Sequence, residues 1–416
     1  MPKRPVVWLN AVFLIATPLL ALVLVPWSIA TFGLGWQEVL AAVVLWWGTG
    51  LGITAGYHRL FSHRTYKASS PVRWMWALLG GAAWQNSVIT WCAGHRYHHR
   101  DVDTDGDPYS IQQGFFYAHM GWVMIQGPRH DALDNVQDLW DDPVCRFQHE
   151  HYLALSTAFN LGVPLLLGLA VGRVWPMLIV AGLLRVVLVH HFTFFINSAA
   201  HTWGTQPWST RDSSRDSWLL SLLTFGEGFH NYHHTFQTDY RNGPRWYHWD
   251  PSKWTIWGLS RLGQAADLRR MPDDVVLRRR FQHQRMVLLD RIGETFEDWR
   301  ERLVEQTHGV IAGRDALAQA MTERSEALQD GMRQRVLDAE ARMETALSDL
   351  KDARQRWAAA HSLRFELPPE HRAQLEAELR ELKRTFRAAR ASVRASVRHW
   401  EALCQEYLVL YEVVPA

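Results

Sequence analysis

The chain has 416 residues, a formal net charge of +2 and three widely separated cysteines, Cys92, Cys145 and Cys404. That length holds a large core or several membrane spans with a soluble part; the charge points to no polyanionic partner, no nucleic-acid module is recognisable, and the cysteines form neither a CxxC pair nor a disulfide framework. The mean hydropathy of −0.19 averages two unlike halves, with long apolar runs and much of the tryptophan in residues 1–200 and Arg, Glu, Ala and Leu dominating residues 265–416.

No charge occurs between Arg4 and Glu38, and Trp8 to Phe32 is long enough to cross a bilayer as a helix. A cleavable signal peptide has a shorter apolar core and a small-residue cleavage site, so this segment reads as a span. A second run, Leu40–Tyr57, follows after a hairpin turn, and Leu153–Gly172 and Val174–Phe195 form another hairpin around Gly172-Arg173. Lys3 and Arg4 precede the first span, while Arg59, Arg64, Lys67 and Arg73 follow the second. The positive-inside rule therefore puts both ends of each hairpin, and both termini, in the cytoplasm. Trp74–Ala93 also lacks charge. If it crossed, however, His58 and His63 would face the opposite side from His95–His99. One site built from both groups requires an interfacial or re-entrant helix over about residues 74–93, and Gln85, Asn86, Ser87 and Thr90 suit a helix that borders a cavity.

Further along, Leu317, Met321, Leu328, Met332, Val336, Ala339, Met343, Leu347 and Leu350 recur at three- and four-residue steps, the seam of a long amphipathic helix. Pro368-Pro369 break it, and Leu375, Leu379, Leu382, Phe386, Val393, Val397 and Trp400 continue on a second helix. Residues 266–416 are thus expected to form a cytoplasmic helical hairpin or half of an intermolecular coiled coil. A self-packed solubilising appendage and a device for docking or self-association are both compatible with this pattern. Arg384, Arg387, Arg390, Arg394 and Arg398 read as a solvated face.

Histidine is the anomaly, with 21 residues of which nine cluster. His58 and His63 form one group; His95, His98 and His99 a second; His230, His233 and His234 a third; Asn197 and His201 sit at the end of the fourth span. On a helix, residues three or four apart share a face, so the second and third groups can each converge on a metal. His58 and His63, five apart, suit a helix end that unwinds. His119, His130, His149, His151 and His248 read as ordinary packed or surface residues; His190-His191, inside the fourth span and outside the ligand set, read equally as functional intramembrane residues or as imidazoles hydrogen-bonded within the bundle. Nine imidazoles exceed a single zinc site of three or four ligands and suit two ions. Ligand type alone does not name the metal. A site at a membrane surface beside apolar chain favours iron, because activated O2 can attack unactivated C–H bonds.

HRLFSHRTYKA (58–68), GHRYHH (94–99), DPYSIQQGFFYAHMGW (107–122), NSAAHTWG (197–204) and GEGFHNYHHTFQTDYRNG (226–243) resemble the stearoyl-CoA desaturase-like branch of the membrane fatty acid desaturases, with wording closest to its bacterial members. The resemblance covers about residues 8–265. It implies an all-α membrane domain over 1–265, with four transmembrane helices at about 8–32, 40–57, 153–172 and 174–195 under a cytoplasmic cap. It implies a di-iron centre on His58, His63, His95, His98, His99, His201, His230, His233 and His234, with Asn197 reaching one iron through water. It also implies a kinked acyl tunnel whose bend is lined by Gln85, Trp91 and Thr193. The implied activity is an O2-dependent desaturation giving a cis, Δ9 double bond. Asp103, Asp105, Asp107, Glu227 and Asp239 are candidates to orient the imidazoles. No dinucleotide fingerprint or haem-attachment motif is present, so electrons are expected from a ferredoxin-, rubredoxin- or cytochrome-type donor with its reductase. Ala93 and Gly94 replace an Arg-Asp pair that contacts CoA in the animal enzymes, which leaves acyl-CoA, phospholipid or carrier protein as the acyl carrier. A bacterial inner-membrane location is expected. The competing readings are a histidine-box alkane or lipid hydroxylase, a membrane metal or haem carrier, and a membrane scaffold acting through its helical tail.

Overall fold

The computed structural model describes residues 4–128, 132–307, 314–363 and 372–413. Contacts divide the chain into two units, Met1–Met271 and Pro272–Ala416, so the division falls six residues beyond 265. The reason is local: Ala265–Ala266 (β2) pairs antiparallel with Lys67–Ala68 (β1), and Arg269 N donates to Thr65 O at 2.8 Å.

In the first unit, α1 (Trp8–Phe32) and α2 (Trp36–Ser62) form one hairpin, and α5 (Tyr152–Val171) and α6 (Val174–His201) form another; all four are long and apolar enough to cross a membrane. Leu9, Leu22, Leu153 and Leu166 point outward, which suits lipid rather than water. Pro18 and Pro26 lie inside α1, as spanning helices tolerate. The hairpin tips are joined by a salt bridge: Arg173 Nη2 lies 2.5 Å from Glu38 Oε1 and donates to Gly33 O at 2.8 Å. Within the bundle, Arg185 is satisfied by Asn160 Oδ1 at 2.5 Å and Ala82 O at 3.1 Å.

α2 and α6 run past the expected ends at 57 and 195, and these extensions carry histidines. Over Gly52–Ser62 the winding of α2 widens, so that each N–H reaches five residues back; His63 N donates to His58 O at 3.0 Å. That wide turn, rather than an unwound end, brings two histidines five apart to one side.

The interfacial segment is two helices, not one: α3 (Ser70–Gly81) and α4 (Val88–Asp101). Trp84 and Asn86 adopt φ of 59° and 78° between them, and the Ser87 side chain caps α4 by accepting from Thr90 N. At 1.5 Å per residue each spans only about 20 Å, short of the ~30 Å hydrocarbon core. α3 crosses α2 closely, because a Cβ on Gly52 would lie 2.4 Å from Gly80 N. Two further helices, α7 (His230–Thr235) and α8 (Pro251–Arg261), complete the site and its support.

The second unit holds three long helices, α9 (Asp273–Thr307), α10 (Arg314–Leu363) and α11 (Arg372–Val413). The expected Pro368-Pro369 turn and His130 lie outside the described residues. The seam of α10 and α11 is filled from the same chain: Phe281, Leu288 and Ile292 of α9 pack with Val336, Met343, Leu347, Val393 and Trp400. Pairs Arg335–Glu406 and Arg285–Glu340 fix antiparallel neighbours.

Candidate metal centre

Four segments deliver the nine clustered histidines to two adjacent pockets. The Nε2 or Nδ1 atoms of His58, His63, His95, His99 and His233 lie within 4.8 Å of one another, as do those of His98, His201, His230 and His234. The (i, i+4) faces of α4 and α7 explain the split: His95 and His99 serve one pocket and His230 and His234 the other, while His98 and His233 cross over.

Hydrogen bonds on the outer nitrogens orient two rings, His98 and His201, and a carboxylate lies against the outer nitrogen of a third, His58. His58 Nδ1 lies 3.0 Å from Glu227 Oε2 and His98 Nδ1 lies 2.9 Å from Asp107 Oδ1. A carboxylate only accepts, so the neutral His98 ring carries its proton on Nδ1 and a bare lone pair on Nε2. Ser213 Oγ donates to Asp103 Oδ1 at 2.7 Å, which leaves it to accept from His201 Nδ1 at 2.8 Å. His95 Nδ1 meets Tyr109 OH at 3.2 Å.

The inner nitrogens then face one another. In the four-histidine pocket, Nε2 contacts run from His201 to His230 at 3.0 Å, on to His234 at 3.1 Å and on to His98 at 3.3 Å. Both ends are bare. Protons on His230 and His234 would satisfy the outer contacts and set N–H against N–H in the middle, so no proton placement satisfies all three. In the five-histidine pocket, Nε2 of His58 and of His99 lie 3.0 and 2.9 Å from that of His233, and those of His63 and His95 are 2.8 Å apart. Burial, reinforced by neighbouring imidazoles, lowers His63, His95, His99, His233 and His234 well below the usual histidine pKa and His230 to about 3, so protonation does not relieve the crowding at neutral pH. Cations between the lone pairs do. The donor set fits two metal ions.

Asn197 ends the helical part of α6, half-buried, one turn before His201. Gln85 Nε2 donates to Thr193 Oγ1 at 2.9 Å, and Trp91 stacks on His95 with centroids 5.0 Å apart. Thr193 lines a narrow cavity with Trp46, Thr54, Val189, Phe192, Thr224 and Phe225. Of the acidic candidates, Asp107 and Glu227 touch imidazoles directly and Asp103 acts through Ser213. Asp239 instead holds Arg241 and Tyr232, and Asp105 is exposed. Burial alone would raise the Glu227 carboxyl, but His58 and Arg59 outweigh it and hold it at about 2.

Sequence reasoning missed Tyr109, Ser213, Asp212 and Arg59. Arg59 lies within the first histidine box and anchors Glu227 at 2.9 Å and Asp250 at 2.9 Å, so its place beside His58 was a usable signal. Ser213 and Asp212 come from an irregular loop that carries no periodic signal. His119, His149, His151 and His190 are hydrogen-bonded elsewhere, and His191 pairs with His119 at 3.0 Å.

Residues 34–251 match the fatty acid desaturase family. The chain is 41% identical over 298 residues to a probable acyl-CoA desaturase of Schizosaccharomyces pombe, covering 71% of this chain and 60% of the relative. It is 40% identical over 274 residues to acyl-CoA desaturase 1 of Saccharomyces cerevisiae, covering 65% and 53%. An sn-1 stearoyl-lipid 9-desaturase of Anabaena variabilis is 34% identical over 269 residues, covering 64% of this chain and 95% of the relative. The chain therefore spans little more than half the length of the two fungal relatives.

Proposed function

Because the chain belongs to the fatty acid desaturase family, we propose that it is an integral-membrane, O2-dependent fatty acyl desaturase that introduces a cis Δ9 double bond into a saturated acyl chain. The observation that carries this reading is the pair of pockets with converging bare Nε2 atoms, set beside the apolar spans. His58, His63, His95, His99 and His233 would hold one iron; His98, His201, His230 and His234 would hold the other, with Asn197 acting through water. Two iron ions bound there supply the oxidising chemistry that unactivated methylenes require.

The rest is positioning by this chain. Gln85, Trp91 and Thr193 would border the path of the acyl chain; the Gln85–Thr193 hydrogen bond and the Phe192 and Phe225 rings beside Thr193 support that reading. Holding one C–C bond against the centre makes the removal of hydrogen effectively intramolecular, which can supply about 7–11 kcal/mol of the barrier. Two hydrogens leave adjacent methylenes, and O2 takes them up with two external electrons and two protons, forming two waters. The donor is a ferredoxin-, rubredoxin- or cytochrome-type protein with its reductase. The substrate is an acyl-CoA or a phospholipid acyl chain: relatives named for each kind match, and Ala93-Gly94 favours the lipid. The histidine-bearing ends of α2 and α6 and both termini face the cytoplasm, at the inner membrane if the host is bacterial.

The test is expression in a host lacking desaturases, with iron, O2 and a working donor, and fatty acid methyl esters profiled for double-bond position. A new cis-Δ9 monoene that disappears in His230→Ala is expected. Hydroxylated chains would move the protein to the hydroxylases; an unchanged lipid profile from folded, iron-loaded protein would refute the activity.

A further inference from the structure

The two pockets differ in what stands behind the imidazoles. Behind the four-histidine pocket, the Asp107 carboxylate accepts directly from His98 Nδ1 at 2.9 Å. The Asp103 carboxylate reaches His201 through Ser213, by contacts of 2.7 and 2.8 Å, and a second bond from Ser213 N at 2.6 Å locks that link. Asp212 Oδ2 lies 3.9 Å from His234 Nδ1. None of these three carboxylates has an Arg or Lys partner among the described ion pairs. Asp107 also caps its own turn, accepting from Asp103 N and Tyr109 N at 3.1 Å each, and Asp212 accepts from Ser214 N at 3.0 Å. These partners are neutral, so two of the four rings lie beside a carboxylate with no cationic partner among the described residues, and a third reaches one through Ser213.

Behind the five-histidine pocket, Glu227 is the one carboxylate against an imidazole among the described residues, and it is shared. Its Oε1 takes Arg59 Nη2 at 2.9 Å, and its Oε2 takes Asn242 Nδ2 at 2.5 Å as well as His58. Arg96 also lies on this side, donating to Phe61 O at 2.9 Å and Ser62 O at 3.2 Å in the wide turn of α2, but its charge is met by Asp138 at 2.7 Å. One pocket is therefore backed by three carboxylates with no cationic partner among the described ion pairs, and the other by a single carboxylate that shares the Arg59 guanidinium with Asp250.

We infer that the two ion sites are inequivalent: the four-histidine pocket, electrostatically backed by Asp107, Asp212 and the Ser213–Asp103 relay, takes the first metal ion and gives it up last. The inference rests on the reading that these nine histidines hold two ions. An imidazole that donates to a carboxylate is a stronger ligand, and removing such an outer partner typically lowers metal affinity about 10–100-fold. The four-histidine pocket has two such hydrogen-bonded links and a third carboxylate nearby, against one compensated link in its neighbour. The extra imidazole of the five-histidine pocket acts in the opposite sense. It is a neutral ligand, however, and cannot offset the charge of a dication as the carboxylates do. Asp103, Asp107, Asp212 and Ser213 are positioning residues, since none reaches substrate or metal.

The experiment uses the full chain in detergent or nanodiscs, loaded anaerobically with Fe(II) and then challenged with rising chelator, while bound iron per chain is measured by mass spectrometry. Two-step release with a plateau near one ion is expected. Ser213→Ala and Asp107→Asn lower the chelator concentration of the second, more resistant step about 10–100-fold, while Glu227→Gln moves only the first. Ser213→Ala breaks the relay without touching the backbone turn that Asp107 caps, so it reports even if Asp107→Asn misfolds. Release of both ions in one step, or a Glu227→Gln effect on the resistant step, overturns the inequivalence. Failure to load even one ion per chain overturns the two-ion reading itself.

Discussion

His248 lies flat on Phe229, ring centroids 4.6 Å apart, and burial with the nearby Lys253 and Arg245 cations lowers its pKa to about 4. The folded ring thus gives up its proton more readily than the unfolded one, whose value is near 6.5. Its contribution to stability is fully present above pH 6.5 and is lost as pH falls toward 4. The full shift would be worth about 3 kcal/mol, and solvent screening of a half-exposed ring leaves about 1 kcal/mol. His248→Phe keeps the stack and cannot be protonated, so denaturant unfolding at pH 7 and 4.5 should show a smaller acid loss for the variant; equal losses would refute this. At the same scale, the convergence of the nine histidines was legible, because histidines grouped at helical spacing beside the ends of apolar spans put several lone pairs on one face. Their supports were legible only where they lie in the same segment, as Asp107 does for His98. Ser213 lies 12 residues from His201 in an irregular loop, and no periodicity signals such a partner.

The elements explain where sequence reasoning stopped. The spans were readable because composition alone decides them, but their true ends were not. Polar extensions of α2 and α6 continue as helix past the apolar stretch, and the wide turn at Gly52–Ser62 has no sequence signature. The break between α3 and α4 was hidden for a similar reason, since residues 74–93 run through it without a single charge. α9 escaped because its charge density masks an apolar stripe that the bundle nevertheless uses. The crossing of α2 and α3 offers a test at this scale. Gly52→Val would push the histidine-bearing turn away from Gly80, at a cost of about 1–3 kcal/mol. Lower thermal stability together with less iron per chain is expected; unchanged iron content would show that the crossing does not position His58 and His63.

For the whole molecule, the pairing of β1 with β2 closes the first unit on itself before the second begins. A chain ending at Met271 should therefore keep its lipid product and its iron. A chain ending at Gln264 lacks β2 and the Arg269 N–H that Thr65 O accepts, and it should lose both. Methyl-ester profiles and metal analysis of the two truncations decide this, and equal behaviour would move the boundary. In the second unit, Trp400 contacts Phe281 at a centroid distance of 4.5 Å and donates to Gln284 Oε1 at 3.1 Å. Trp400→Ala should destabilise that bundle by about 3–5 kcal/mol, read as the loss of one transition in calorimetry of the full chain while lipid product persists.

The Glu38–Arg173 bridge has a consequence for how the protein is made. Glu38 is the only Asp, Glu, Lys or Arg between Arg4 and Arg59, and Arg173 stands alone at the tip of the later hairpin. At 1.5 Å per residue, Glu38 lies about 30 Å along α2 from His58, at the far face of the bilayer. During synthesis the first hairpin therefore emerges there with an orphan anion, and the second arrives with the cation that matches it. The bridge acts as a latch that closes only when both halves have inserted in the same orientation. Glu38→Arg should leave newly made chains open to degradation, and adding Arg173→Glu should restore their lifetime in a pulse–chase measurement; no rescue would show that the tips are joined by proximity alone.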